Sequence, residues 1–300
     1  MLGKNITIIG GSGVMGQIFG RYFKRHGFNV ILLARNENKL KTAAENLGGN
    51  YELDLKKSVE NADIVMISIP IRSTPEMIQK IAPLMKKNSL LFDITSLKQN
   101  IYTILNEVYK IYPINCLSLH PMFGPGIKNM KNYIIIVLKV GGTEHYDEII
   151  KELLGLFKSD GFIITETTPE IHDSRIALTL AVPHMFNILF LNLLKRTNEP
   201  LNELTRFTGT TFLLQKVFAE SIIQREMEMF GEIQIENDKF LKILDLFENL
   251  IKEYKAIIIN KDTIGFNNIF TDGLEYSKED NHFNNSYQYF YEFMKILKEK

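Results

Sequence analysis

The chain has 300 residues, 45% hydrophobic and 23% charged, a composition typical of a globular protein long enough for two domains. Lysine and arginine number 35, as do aspartate and glutamate, and this zero net charge argues against nucleic acid or an anionic membrane as the main partner. The single Cys116 excludes an intrachain disulfide, no apolar run approaches the roughly 20 residues of a membrane helix, and no leader segment is recognisable, so we expect a cytoplasmic protein without membrane contact.

The first half of the chain predicts strands that alternate with helices. A β-branched apolar run at residues 5–9 ends in glycines, and apolar residues at helical spacing follow from Met15. Further strands are predicted at residues 30–33, 63–69, 90–92, 117–119, 133–137 and 162–164, and helices lie between them. Such alternation predicts a Rossmann-type, doubly wound parallel α/β sheet over residues 1–165.

The second half of the chain predicts helices alone. Beyond about residue 165 the strand pattern disappears, and long helical stretches are interrupted near Pro183 and at residues 198–200, 208–211 and 260–262. We therefore predict an all-helical domain over residues 166–300.

The segment Gly11-Ser12-Gly13-Val14-Met15-Gly16 has the G-x-G-x-x-G spacing of a dinucleotide-binding loop. It follows a predicted strand and opens a predicted helix, where the glycines allow a tight turn, close approach of a pyrophosphate and close helix–strand packing. The other interpretation is that the glycines serve only the tight turn. The context favours a nicotinamide dinucleotide as the cofactor.

The end of the second predicted strand indicates which dinucleotide binds. A carboxylate that meets the ribose hydroxyls of NAD is expected there, but the sequence reads Ala34-Arg35-Asn36. A guanidinium without a neighbouring acid can pair with the 2′-phosphate of NADP. The sequence thus favours NADP over NAD, although Arg35 can also be a solvated loop charge.

Ser96 and His120 each follow a predicted strand. Ligands of open α/β sheets bind at the carboxyl ends of strands, so both side chains are expected beside the nicotinamide. Each has a second interpretation, because Ser96 with Gln99 matches a capping box and His120 can be a structural residue of a loop rich in glycine and proline. The sequence shows no spacing typical of a metal site, and we expect none.

These motifs together resemble those of prephenate dehydrogenases, in particular the branch whose loop reads H-P-M-F-G-P. The similar segments run in order from the first strand to about Asn237, and they are the glycine loop, Ser68-Ile69-Pro70-Ile71, Asp93-Ile94-Thr95-Ser96-Leu97-Lys98, Leu119-His120-Pro121-Met122-Phe123-Gly124-Pro125, and His172-Asp173 followed by His184. The loop with the S-x-K segment before it is specific, whereas the glycine loop alone is not.

The resemblance implies a function and a set of site residues. The family oxidises prephenate to 4-hydroxyphenylpyruvate by hydride transfer to NAD(P), with loss of carbon dioxide. In this chain His120 would accept a hydrogen bond from the substrate hydroxyl, and Ser96 would orient His120 and the substrate. Ser68 and Pro70 would belong to the cofactor site, while His172 and His184 would line the substrate side of the cleft, with His184 preferred. The family is typically a homodimer built through its helical domain.

One position departs from the family pattern. Where the family carries an arginine for a substrate carboxylate, the aligned residue here is Leu213. A carboxylate in a water-poor cleft needs a cation or several hydrogen-bond donors. Arg206 is the first replacement considered, because a loop at a helix junction can redirect its long side chain into the cleft. Lys216 is the second, because it lies near the Leu213 face of the same helix, and Arg175 is also near.

Three other functions remain open on this sequence. Arogenate differs from prephenate only by an amine in place of the side-chain keto group, and it is the closer alternative substrate. Another small-acid dehydrogenase would keep the glycine loop but not the H-P-M-F-G-P loop. A non-catalytic NADP-binding redox sensor is supported only by the missing arginine.

Overall fold

A computed structural model describes residues 3–127, 129–225 and 227–298 of the chain. The chain divides into two compact units, the first ending at Ile176 and the second beginning at Ala177. The division therefore falls later in the chain than residue 165, because the helix at Pro169–Ile176 belongs with the sheet.

The first unit is built on an eight-stranded sheet in the order β3-β2-β1-β4-β5-β6-β7-β8. The strands are β1 (Asn5–Ile9), β2 (Asn29–Leu33), β3 (Asn50–Glu52), β4 (Ile64–Ile67), β5 (Leu90–Asp93), β6 (Asn115–Pro121), β7 (Ile134–Gly141) and β8 (Ile163–Glu166). The order β3-β2-β1-β4-β5-β6 with parallel pairing is that of dinucleotide-binding sheets, so the predicted fold class is confirmed.

Two details of the sheet differ from the prediction. Strand β7 runs antiparallel to β6, because the described residues between them, 122–127 and 129–133, form no helix to carry the chain back across the sheet. Strand β3 was not predicted, since its three residues are polar or exposed at the sheet edge and form no apolar run.

Helices cover both faces of this sheet. They are α1 (Val14–Arg25), α2 (Glu37–Leu47), α3 (Leu55–Val59), α4 (Thr74–Ile81), α5 (Gln99–Ile111), α6 (Tyr146–Ser159) and α7 (Pro169–Ile176). Ile8 and Leu32 pack with α1, α2 and α6 on one face, and Ile9 and Val65 pack with α4 and α5 on the other. Both faces are dry, so the central strands read as continuous apolar runs.

The second unit is helical throughout the residues that the structure describes. A π-helical turn (Ala177–Ala181) precedes α8 (Val182–Arg196), α9 (Leu201–Thr205), α10 (Thr210–Ile223), α11 (Met227–Ile235), α12 (Asp238–Asn260), α13 (Thr263–Ser277) and α14 (Ser286–Lys298). Helix α10 packs on α8, where Phe190 meets Phe212 and Gln215 hydrogen-bonds Asn187. The predicted all-helical character of this part is confirmed.

Many large apolar side chains of the second unit are exposed, among them Leu193, Phe218 and Ile223. The helical segment Pro169–Arg196 is also long and apolar enough to cross a membrane by length and composition, a test that core helices of soluble proteins pass as well. The expectation that no apolar run approaches this length was therefore wrong, because Thr179, His184 and Asn187 interrupt the run without lowering its mean hydropathy enough.

Candidate active site

The predicted glycine loop joins β1 to α1 and has no room for a Cβ at Gly11 or Gly16, nor at Gly10 just before the motif. Gly10 adopts a φ of +85°, and a Cβ on it would lie 2.0 Å from the Ser68 carbonyl oxygen. A Cβ on Gly16 would lie 2.5 Å from the Gly10 carbonyl oxygen, so only glycine lets α1 start this close to the strand. These contacts confirm the tight turn and the close helix–strand packing that the motif predicts.

The start of α1 also suits a phosphate group. Gly13 is the N-cap residue, makes no side-chain capping hydrogen bond, and lies exposed, and the first turn of α1 holds no acidic residue. The first backbone N–H groups of the helix therefore remain available to an anion. Ser68 and Pro70 follow β4 at the same edge, and Ser68 donates its backbone N–H to the Ile9 carbonyl. These residues fit the pyrophosphate of a dinucleotide.

The end of β2 carries the residues expected to meet the adenosine ribose. Arg35 follows β2, is exposed, and forms no ion pair with any residue that the structure describes. Asn36 caps α2 by accepting from the Lys39 backbone N–H at 3.0 Å. Beside them, a cavity of about 410 Å³ lies between the glycine loop and α2, lined among others by Ser12, Asn38 and Lys39. The three residues directly after β2, Ala34-Arg35-Asn36, therefore offer a cation and no acid.

His120 lies within β6 itself, one residue before its end, rather than in the loop after it. Its side chain is 4% exposed, and in the sheet it pairs with Ile136 of β7. The strand continues two residues further than predicted because the antiparallel β7 pairs with it as far as Pro121. A rigid, buried strand therefore positions the ring.

A chain of hydrogen bonds runs from His120 to α5. His120 Nδ1 lies 2.9 Å from His172 Nε2, and His172 Nδ1 lies 2.7 Å from Asp173 Oδ1. The Asp173 carboxylate accepts the backbone N–H groups of Lys98 and Gln99, both at 2.9 Å. We call these three hydrogen-bonded side chains, His120, His172 and Asp173, the His-His-Asp relay. All three are buried.

The chemistry of the relay fixes which ring nitrogens carry protons. An ionised Asp173 can only accept, so His172 donates from Nδ1 and keeps a lone pair on Nε2 when neutral. His120 must then donate from Nδ1, and its Nε2 carries a lone pair. The relay thus presents His120 Nε2 as a hydrogen-bond acceptor and base.

Burial keeps both imidazoles in the neutral form. Desolvation, followed by the charges of His172 and Lys98, lowers the pKa of His120 well below its usual range. Desolvation also lowers the pKa of His172, although its hydrogen bond to Asp173 acts in the opposite direction. A base that is neutral at physiological pH is what proton abstraction requires.

The role expected of His172 was therefore wrong. It was predicted to line the substrate side of the cleft, but its two ring nitrogens are engaged by Asp173 and His120. Neither nitrogen is left for a substrate, and His172 instead orients His120.

Ser96 neither caps α5 nor contacts His120, although both were predicted, and its predicted contact with the substrate stays a prediction. Helix α5 begins at Gln99 and its first N–H groups are capped by Asp173, so Ser96 does not form the predicted capping box. Ser96 is half-buried and makes no hydrogen bond with the residues that the structure describes, so His172 rather than Ser96 orients His120. Ser96 follows β5 by three residues and so lies near the carboxyl end of that strand, where open α/β sheets bind their ligands.

Beneath His120 lies a buried ionic cluster that the sequence analysis did not assign a role. Lys98 Nζ donates to Asp93 Oδ2 at 2.6 Å, and Ser118 Oγ donates to Asp93 Oδ1 at 2.5 Å. The Thr95 hydroxyl donates to the same carboxylate at 2.5 Å. The D-x-T-x-x-K spacing was visible in the sequence, but its partner Ser118 was not.

In the second unit, His184 lies on α8 and is 9% exposed. Its ring packs edge-on against Phe230 with centroids 4.6 Å apart, and its Nδ1 has no hydrogen-bond partner among the described residues. Burial lowers the pKa of His184 to about 4. A buried imidazole nitrogen without a partner is suited to bind a polar ligand group.

The structure shields Lys216 from water better than Arg206, which is the reverse of the order predicted for the two candidate cations. The Arg206 side chain is 74% exposed and pairs with Glu203 one helical turn earlier, so it does not reach into a dry site. Lys216 lies on α10, which packs on the helix of His184, and its side chain is 19% exposed and pairs with Glu220. Leu213 lies half-buried on the same helix as Lys216 and carries no charge. Lys216 is therefore the candidate cation that remains for this part of the second unit.

Two family models match the chain. The model of the prephenate dehydrogenase nucleotide-binding domain matches residues 19–134, and that of the prephenate dehydrogenase dimerization domain matches residues 168–272. The first match lies within the first unit, and the second lies mainly within the second unit.

Similar curated proteins include a probable arogenate/prephenate dehydrogenase of Methanocaldococcus jannaschii, 30% identical over 87% of this chain and 58% of that protein. A T-protein of Haemophilus influenzae is 25% identical over 88% of this chain and 65% of its own length. This chain thus spans less than two thirds of the length of either relative.

Solved structures share the fold. The prephenate dehydrogenase from A. aeolicus in complex with hydroxyphenyl propionate and NAD+ superposes with a TM-score of 0.75 at 19% identity, over 93% of this chain and 99% of that chain. Synechocystis arogenate dehydrogenase gives a TM-score of 0.69 at 17% identity, over 92% of this chain and 99% of that chain.

Proposed function

This chain belongs to the prephenate dehydrogenase family, and we propose that it catalyses the NAD(P)-dependent oxidative decarboxylation of prephenate to 4-hydroxyphenylpyruvate. The observation that carries the proposal is the His-His-Asp relay, which ends in a neutral histidine at the carboxyl edge of a sheet with a dinucleotide-binding loop. A hydroxyl oxidised by hydride transfer needs such a base.

In the proposed reaction, His120 Nε2 accepts the proton of the ring hydroxyl as the carbon that bears this hydroxyl loses a hydride. A nicotinamide cofactor held by the glycine loop would be the hydride acceptor. Loss of the ring carboxylate as carbon dioxide leaves its bonding electron pair in the ring, which becomes aromatic, and the phenolate oxygen takes back a proton. His120 bears a positive charge after the first step, and His172 and Asp173 stabilise that charge through the relay.

The second unit supplies candidate groups for the substrate carboxylates and keto group. Lys216 is proposed as the cation in place of Arg206, because a cation shielded from water binds a carboxylate more strongly than an exposed one. The unpartnered Nδ1 of His184 is proposed as a second contact for the substrate.

We propose NADP as the preferred cofactor, with NAD as a weaker alternative. Support comes from Arg35 at the end of β2, which is exposed and forms no ion pair with a described residue, and from the Lys39 side chain at the neighbouring cavity. A 2′-phosphate would meet two cations there, whereas the ribose hydroxyls of NAD would find no carboxylate in Ala34-Arg35-Asn36.

A homodimer in the cytoplasm is part of the proposal. The second unit exposes large apolar side chains, which mark association surfaces, and its family model carries the name of a dimerization domain.

Arogenate is the second candidate substrate. Relatives with this activity in their names occur both among the curated proteins and among the solved structures. Purified protein is assayed with prephenate and with arogenate, each with NADP and NAD, by the absorbance of the reduced nicotinamide. A higher kcat/KM with prephenate supports the proposal. A higher kcat/KM with arogenate would make arogenate the substrate instead of prephenate. Cofactor binding without turnover of either compound would favour the redox sensor.

A further inference from the structure

Lys98 is a fully buried cation that the proposed reaction does not use. Its side chain is 0% exposed, and Nζ donates to Asp93 Oδ2 at 2.6 Å, to the Leu119 carbonyl at 2.7 Å and to Thr95 Oγ1 at 3.3 Å. An ammonium group has three protons to donate, and here all three have acceptors. Lys98 therefore has no donor left for a substrate carboxylate.

The Lys98 ammonium contacts the Leu119 carbonyl at a point where β6 continues and its neighbour β5 has ended. Strand β5 ends at Asp93, whose register partner on β6 is Ser118, so the Leu119 carbonyl lies beyond the last residue of β5. The Lys98 ammonium supplies the hydrogen-bond donor that β5 no longer provides. The residue so held directly precedes His120.

The backbone of Lys98 holds the other half of the relay. Its N–H donates to Asp173 Oδ1 at 2.9 Å, and the same oxygen lies 2.7 Å from His172 Nδ1. A single residue thus contacts the strand that carries His120 through its side chain, and the helix that carries His172 through its main chain.

We propose that Lys98 is a positioning residue that sets the alignment of His120 against His172, and hence the direction in which His120 Nε2 points. The inference rests on the proposed function, because it assigns the relay a part in catalysis. Asp93 is the counterion that makes a buried ammonium tolerable, and Ser118 and Thr95 fix that carboxylate in turn.

The experiment compares Lys98→Met with the parent protein. Methionine keeps the length of the side chain and the backbone N–H to Asp173, but it removes the ammonium. Because this leaves the Asp93 carboxylate buried and unpaired, the double variant Asp93→Asn/Lys98→Met is measured as well. Thr7→Val is the matched control, since it removes a buried hydroxyl that donates to the Ser58 carbonyl elsewhere in the sheet.

Both Lys98 variants are expected to lower kcat by about 100-fold, the scale of a misplacement of about 1 Å. The KM for prephenate and the affinity for NADP should stay near parent values, and Thr7→Val should keep the parent kcat. A normal kcat in a folded Lys98→Met or double variant would overturn the inference. A raised KM with unchanged kcat would do so as well, because it would make Lys98 a substrate-binding residue.

A second readout separates this inference from the proposed function. Nitrogen NMR of the histidine rings reports which nitrogen carries the proton, whether or not the protein turns over prephenate. In the parent we expect His120 protonated at Nδ1 alone, and in the Lys98 variants a mixture of both forms. If the parent protein does not turn over prephenate but the ring signals still change in the Lys98 variants, the proposed substrate is rejected and the positioning role is retained. Identical ring signals in parent and variants would reject the positioning role.

Discussion

His120 and His172 share one hydrogen bond, with Nδ1 of the first ring 2.9 Å from Nε2 of the second. Only one proton can lie between these two atoms, and Asp173 determines which ring provides it by accepting from the far side of His172. Two residues 52 positions apart in sequence therefore act as one acid–base unit.

Replacing His120 by asparagine should lower turnover by roughly 100- to 10,000-fold, the usual contribution of a positioned general base. NADP affinity should hardly change, because His120 lies away from the glycine loop on a different strand. Steady-state kinetics and a cofactor titration measure the two effects. Ser96→Ala should lower turnover less. Unchanged turnover in His120→Asn would show that His120 is only structural.

His172→Phe keeps a ring in the buried site and removes both nitrogens that connect Asp173 to His120. We expect kcat to fall by roughly 10- to 1,000-fold, part of the loss expected for the base itself, because His120 loses its fixed tautomer. His26→Phe is the matched control, since it breaks a different histidine–aspartate pair, with Asp160 at 2.7 Å. Equal kinetics in the two variants would remove His172 from the mechanism.

The parent protein should bind NADP more tightly than NAD, and Arg35→Ala should lose most of this preference. One charge-assisted contact is worth roughly 1.5 to 3 kcal/mol, or about ten- to a hundredfold in affinity. Fluorescence titration of both cofactors against both proteins gives the ratio. Equal affinities in the parent protein would contradict the NADP assignment.

Lys216→Ala should raise the KM for prephenate by about ten- to a hundredfold, as expected when a charge-assisted hydrogen bond is lost. Arg206→Ala should change the KM little, because the Arg206 side chain is 74% exposed whereas that of Lys216 is 19% exposed. Neither change should alter NADP affinity. The opposite ranking of the two variants would return Arg206 to the substrate site, and normal kinetics in both would leave the carboxylate to other groups.

Stability should depend on pH through His184. Because burial lowers the folded-state pKa of His184 to about 4, the unfolded chain binds the proton more readily once the pH drops below about 6.5, the pKa of an exposed histidine. The free energy of unfolding should therefore fall as the pH falls from about 6.5 toward 4. Urea unfolding across this range should show a shallower dependence in His184→Phe. Parallel curves for parent and variant would mean that His184 does not remain neutral.

The sequence predicted the architecture because central parallel strands are dry on both faces and so read as unbroken apolar runs. The glycine loop could be placed from local spacing alone, since Gly16 lies against the backbone of Gly10, six residues earlier in the chain. The close contact of Gly10 with the distant Ser68 carbonyl could not be predicted in this way. The family resemblance read from the motifs is confirmed by matches over both units. The antiparallel direction of β7 was not predicted. It follows from the lack of a helix among the described residues that connect β6 to β7, and not from a residue pattern.

Most of the site could not be predicted because its partners are distant in sequence. Lys98 and Asp173 are 75 positions apart, and no periodicity relates them. Ser96 matched a local capping pattern, yet the long-range Asp173 carboxylate took that role, since it satisfies two N–H groups at once. Likewise, the position of Arg206 beside a helix break suggested a redirected side chain, whereas the nearby Glu203 binds it at the surface.

The cap that Asp173 places on α5 also makes the active site observable without a substrate. The amide protons of Lys98 and Gln99 are held by that carboxylate, and they have no strand or helix partner among the described residues. Their exchange with deuterium requires the hydrogen bonds to Asp173 to open. The exchange rates of these two amides therefore report how often the residue at the end of the relay leaves its place in the resting protein.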